Sequence, residues 1–136
     1  MRKAVIVARI FVDYMYTLRI LSSTPASKDK RFDMSASTHL SITALYERVK
    51  AILLKAGVNP AQAGAVARVI TAGERDACKS HGIYRIEGIL RTIKAGKVKL
   101  DAVPQLLPHP GTAVLRGNAG GGFANPAFEL GLPTLG

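Results

Sequence analysis

Between residues 41 and 95 apolar side chains return every three or four positions in three successive runs, and after Gly96 that rhythm stops. A spacing near 3.6 gathers such residues on one side of a helix, so each run has to bury its stripe against the others. The first run predicts a helix from Ser41 to Gly57, with Leu45, Val49, Ile52 and Leu53 inward, Thr43 as N-cap and Gly57 as the stop. The second starts at Asn59, where Asn59 caps, Pro60 takes the first helical position and Gln62 completes a capping box. Its inward face is Ala63, Val66, Ala67 and Ile70. The third runs from a Ser80 cap to Ala95, with Ile83, Ile86, Leu90 and Ile93 inward, and Lys94 and Lys97 suit the dipole at its end.

Past Gly96 the pattern is that of strands. Val103–Leu107 and Thr112–Arg116 make a short hairpin around His109-Pro110-Gly111-Thr112, which fits a type II turn. The glycine run 117–122 lacks both the P-loop ending and the spacing of a dinucleotide fingerprint, and reads as a flexible connection. Asn125-Pro126 opens a fourth helix in the same order as Asn59-Pro60, until Leu132-Pro133 interrupts it. The fold class is therefore α+β: a three-helix segment, a short β-hairpin and the start of a further helix. Domains seldom stop inside an opening helix, so the chain is expected to be an incomplete piece of a larger protein.

Residues 1–33 read differently. After Arg2 and Lys3, an apolar run from Ala4 to Val12 resembles the start of a secretory leader, but Arg9 breaks it and Asp13 closes it, leaving it short and charged, and it is far too short to span a membrane. A polar stretch from Ser22 to Lys30 follows as linker. A signal peptide, a genuine extension and translation from a start placed too early all fit this pattern. The last is favoured because the amphipathic sequence begins just after Met34. Residues 1–33 are thus expected to be an unmatched, flexible extension and 34–136 the domain.

The formal net charge of +10 favours acidic partners. Its 19 basic residues are scattered, 7 of them before residue 34 and 12 after, so they describe a solvated surface. A small basic helical module that binds nucleic acid is an alternative with that charge as its only support, and aromatics, at 6%, do not alternate with basic residues as base-stacking surfaces require. Cys78 is the single cysteine, which suits a reducing cytoplasm; it is expected to be a half-buried structural residue. His39, His81 and His109 are too far apart for a local metal site, so no metal is expected.

Chemistry concentrates between Asp76 and Arg85. With a helix starting at Ser80, His81 falls in its first turn and Arg85 one turn later on the same face. Arginine can grip a carboxylate with two parallel hydrogen bonds. Histidine can pass a proton to a nitrogen or oxygen as hydride reaches the neighbouring carbon. Ser80 could orient that imidazole. Taken alone, a Ser-His-Gly triplet at a helix start is also ordinary surface.

The stretch Glu74-Arg75-Asp76-Ala77-Cys78-Lys79-Ser80-His81-Gly82-Ile83-Tyr84-Arg85, with Lys94-Ala95-Gly96-Lys97 and Gly117-Asn118-Ala119-Gly120-Gly121-Gly122-Phe123-Ala124, resembles the malate/L-lactate dehydrogenase family of NAD(P)-dependent oxidoreductases. The similarity runs from about Leu40 to Leu132 and is strongest towards the family's bacterial Δ1-piperideine-2-carboxylate/Δ1-pyrroline-2-carboxylate reductases. The resemblance implies a larger, non-Rossmann α/β oxidoreductase working in the cytoplasm as a homodimer. It also implies reduction of a cyclic 2-imino acid to the L-amino acid with NADPH (or NADH). A dehydrogenase of malate, lactate, ureidoglycolate or another 2-hydroxy acid on the same scaffold is the alternative. By resemblance Ser80 belongs to the charge relay, His81 is the proton donor and Arg85 binds the substrate carboxylate. The relay's acidic member and the cofactor-binding segments come later in the family's sequence, so the chain by itself is expected to be inactive. Neither nucleic acid nor membrane is an expected partner.

Overall fold

The structure is a computed structural model that describes residues 3–7, 37–108 and 114–135. In chain order these form β1 (Lys3–Val7), β2 (Ser37–Ser41), α1 (Ile42–Lys55), α2 (Pro60–Arg75), a 3-10 turn (Lys79–His81), α3 (Arg85–Lys94), β3 (Gln105–Leu107), β4 (Arg116–Asn118), α4 (Ala124–Gly131) and a closing 3-10 turn (Leu132–Thr134). Helices dominate, with two small antiparallel sheets of two strands each. No helix among the described residues is long and apolar enough to cross a membrane.

The helical stripes pack where their spacing places them. Leu45, Val49 and Leu53 of α1 meet Ala63, Val66, Ala67 and Ile70 of α2, and Ile83, Ile86 and Leu90 close the same cluster from the third run. Ile52 and Ile93, at the edges of their stripes, are only partly buried. Helix α1 begins two residues earlier than Thr43 would set it, because the Ser41 hydroxyl accepts the Ala44 N–H at 3.1 Å. Its end is as read: Gly57 takes φ +89°, Gly57 N–H returns to Leu54 O and Val58 N–H to Leu53 O.

Asn59 caps α2 by accepting the Gln62 N–H at 2.9 Å, with Pro60 opening the helix. The reciprocal half of the capping box is not made. Asn59 N–H bonds Leu100 O instead, and the Asn59 side-chain amide reaches Ala102 O, so the cap doubles as a clasp for the 100–102 loop. Gln62 is buried and points away from the cap. Its amide NH2 donates to Lys99 O and Leu100 O, and its Oε1 accepts the Phe123 N–H. One polar side chain thereby ties the start of α2 to the loop before β3 and to the entrance of α4.

Three further expectations need correction. The third helix starts at Arg85 rather than Ser80; residues 79–81 form a separate 3-10 turn, and Gly82 interrupts the two. The hairpin pairs Gln105–Leu107 with Arg116–Asn118, so Gly117 and Asn118 are strand rather than loop, and its turn at 109–113 lies outside the described residues. Helix α4 begins at Ala124, with Phe123 at the cap position and Asn125 inside the first turn. The Phe123 N–H bonds the Gln62 side-chain oxygen, which ties the entrance of α4 to α2.

In the extension, only residues 3–7 are described; they run antiparallel to β2, from Lys3 opposite Ser41 to Val7 opposite Ser37. On the far side of α2, Arg68 grips Glu129 of α4 with both nitrogens of its fork, Nε to Oε1 at 2.6 Å and Nη2 to Oε2. That pairing holds the Glu129 carboxyl below the usual carboxylate range, against the opposing effect of partial burial. A depressed carboxylate pKa contributes stability that is present above the unfolded-state value and is lost as pH falls through the folded-state value. Both groups are partly solvated, so the expected contribution is about 0.5 kcal/mol. Thermal melts at pH 7 and pH 3 should show a smaller acid-induced loss in Glu129→Gln than in the unaltered chain.

Candidate active site

The sequence from Gly73 to Arg85 folds back on the end of α2 because two glycines leave room. A Cβ at Gly73 would stand 2.7 Å from the carbonyl carbon and oxygen of His81, and one at Gly82 would stand 2.0 Å from the Glu74 carboxylate oxygen. Without those side chains the 3-10 turn lies directly on α2. Glu74 Oε1 then accepts the Ile83 N–H at 2.8 Å, and Cys78 N–H bonds Gly73 O.

On this turn Ser80 Oγ lies 3.0 Å from His81 Nδ1. His81 itself is exposed and faces a groove of about 730 Å³, walled by Val66, Val69 and Ile70 of α2, by Tyr84, Arg85 and residues of α3, and by Phe123 and Asn125 at the start of α4. Arg85 lines that groove as well, so His81 and Arg85 share one cavity although they do not share one helix. Ser80 is not on the wall; it stands behind the imidazole.

Cation pairing differs along the groove. Arg91 is held by Glu87 one helical turn before it, and Arg75, at the end of α2, by Asp76. Arg85 has no carboxylate partner among the described residues. Its guanidinium is therefore available to an anion entering beside His81. The rest of the wall is mixed, with Val66, Val69, Ile70, Ile89 and Phe123 beside the polar Glu87, Arg91, Thr92 and Asn125.

Cys78 is exposed on the outer side of the turn rather than half-buried, because the glycine contacts press the opposite side against α2. His39 sits exposed in β2, and His109 lies outside the described residues. The glycine segment 117–122 turns its amides inward: Gly120 N–H bonds Asn118 Oδ1 and Gly122 N–H bonds Ala119 O. Those amides do not fit a phosphate cradle. Sequence reasoning missed Gly73, Gly82 and Glu74, whose parts emerge only when the turn is laid on α2; the one local signal is a pair of glycines bracketing a run of polar residues.

The chain belongs to the malate/L-lactate dehydrogenase family, whose model matches residues 40–135. It is 68% identical over 102 residues to a Δ1-pyrroline-2-carboxylate reductase of Agrobacterium fabrum, covering 75% of this chain and 30% of that protein. It is 45% identical over 97 residues to a Δ1-pyrroline-2-carboxylate/Δ1-piperideine-2-carboxylate reductase of Pseudomonas aeruginosa, covering 71% of this chain and 28% of that one. The crystal structure of a Δ1-piperideine-2-carboxylate reductase from Pseudomonas syringae superposes with a TM-score of 0.65 at 33% identity, over 71% of this chain and 29% of that one. The chain thus spans about 30% of the length of the curated relatives it matches.

Proposed function

We propose that residues 34–136 are the N-terminal part of a larger α+β, non-Rossmann reductase that converts a cyclic 2-imino acid, Δ1-pyrroline-2-carboxylate or Δ1-piperideine-2-carboxylate, to the L-amino acid. In this reading residues 1–33 are an extension outside the domain, and the enzyme is a cytoplasmic homodimer. The observation that carries the reading is the pairing of Arg85, a guanidinium without a carboxylate partner among the described residues, with a serine-backed imidazole, His81, in one groove.

The hydride would be supplied, when bound, by a reduced nicotinamide cofactor, NADPH in preference to NADH. No described residue is assigned to that cofactor, since the inward-turned glycine segment does not suit its phosphates. This chain's own part is carboxylate binding and proton delivery. Arg85 binds the substrate carboxylate with two parallel hydrogen bonds, which fixes the C=N bond beside His81. The imidazolium donates through Nδ1–H to Ser80 Oγ, leaving Nε2–H to face the ring nitrogen. As C2 becomes tetrahedral the C=N π pair moves to nitrogen, which takes the Nε2 proton, and His81 is left neutral. Val69, Ile70 and Phe123 offer apolar surface to the aliphatic ring.

The same geometry serves a 2-oxo acid, where the proton would go to oxygen, so a 2-hydroxy-acid dehydrogenase is the second reading. Malate carries a second carboxylate, and the other arginine of the groove is already held by Glu87. That distribution favours a monocarboxylate with an apolar body. In a protein of the relatives' full length carrying this segment, kcat/KM with Δ1-pyrroline-2-carboxylate should exceed that with oxaloacetate or pyruvate by at least 10²; comparable values would move the assignment to 2-oxo acids.

A further inference from the structure

We infer that Glu74 is a positioning residue for the Ser80–His81 pair, acting through its hydrogen bond to the segment that leads into α3. The inference rests on the proposed reductase reading only for its kinetic consequences. Helix α3 begins without any side-chain cap, since Tyr84 at the cap position makes no such bond. One residue before that position the chain is held from nine residues upstream: the Glu74 carboxylate takes the Ile83 N–H at 2.8 Å. The same carboxylate occupies the space a Cβ at Gly82 would need, with its oxygen and carbon 2.0 and 2.6 Å from that position. On the other side, Gly73 brings α2 against the His81 carbonyl. His81 is therefore fixed between two contacts of α2, one through its own backbone and one through the next two residues.

This arrangement explains how an exposed histidine on a three-residue turn keeps a defined direction. A 3-10 turn of that length has few bonds of its own. Its orientation must come from what it is fastened to, and the fastening is a charge-assisted bond of the stronger kind. Glu74 does not itself reach the groove, whose wall it does not line. Its effect passes through the backbone of residues 81–83 to the imidazole and to Arg85 at the start of α3.

The test uses the 136-residue chain with Glu74→Met, which keeps the side-chain length without an acceptor, and Glu74→Gln, whose amide oxygen still accepts. Amide hydrogen exchange at Ile83 and the 15N signals of the His81 ring are read by NMR, with thermal melts alongside. Glu74→Met should lower Ile83 protection at least tenfold and shift the ring signals away from the serine-bonded state, and Glu74→Gln should restore both. Unchanged ring signals in a folded Glu74→Met chain would overturn the inference. So would an unprotected Ile83 amide in the unaltered chain, a measurement that stands even if Glu74→Met does not fold. A fall in melting temperature without movement of the ring signals would also overturn it, since that describes a purely structural carboxylate. In the full-length context Glu74→Met should lower kcat more than it raises KM. Should His81→Ala there keep its kcat, the reductase assignment would fail while the ring signals still decide the positioning of the turn.

Discussion

His81→Ala, in a protein of the relatives' full length carrying this segment, should lower kcat by roughly 10²–10⁴, the usual contribution of a positioned proton donor. KM should move little, because the carboxylate grip belongs to Arg85. Arg85→Lys should show the opposite balance: the charge remains but the two-pronged geometry is lost, so KM rises more than kcat falls. Ser80→Ala is the informative intermediate. Its hydroxyl caps no helix and bonds the His81 ring, so the substitution should reduce kcat with little change in melting temperature. If the triplet were ordinary surface, all three variants would keep near-normal kinetics. Steady-state rates measured beside thermal melts separate these outcomes, and retention of most of the activity by His81→Ala would remove the proton-donor assignment.

The helices and the groove differ in how far they can be read from the residues alone. A stripe such as Leu45, Val49 and Leu53 is a local pattern with one physical meaning, and the core forms on it as expected. Ends are harder, because several residues within reach can satisfy the same N–H groups. Ser41 rather than Thr43 caps α1, and the Asn-Pro pair that opens α2 at Asn59 fails to open α4 at Asn125. What fastens the entrance of α4 lies 61 residues away, in the Gln62 oxygen that takes the Phe123 N–H. The candidate site shows the same division. His81 and Arg85 meet in one groove, as their separation of four residues suggests, but through a 3-10 turn and a glycine break instead of one continuous helix. Glu74, Gly73 and Gly82 carry no pattern of their own, since their meaning is a close approach between segments.

That long-range dependence makes Gln62 the residue whose loss should destabilise the chain most. Gln62→Leu keeps the volume and removes every polar atom of the side chain. The Phe123 N–H and Lys99 O would lose their partners, whereas Leu100 O would keep the bond from Asn59 N–H. A buried group left without a partner costs about 1–3 kcal/mol; both bonds here are only part-buried, so the two together give an expected loss of at most roughly 2–6 kcal/mol. Gln62→Glu should be at least as damaging at neutral pH, because it sets a carboxylate oxygen against two carbonyls while sparing only the Phe123 bond. Lowering the pH should then recover part of the loss in Gln62→Glu, as the protonated acid regains a donor, but none in Gln62→Leu. Phe123 also forms part of the groove wall, so both variants should loosen the wall opposite His81 as well as lowering the melting temperature. Urea unfolding at pH 7 and pH 5 measures the difference. A Gln62→Leu chain within 0.5 kcal/mol of the unaltered one would mean that the three segments hold together without this side chain.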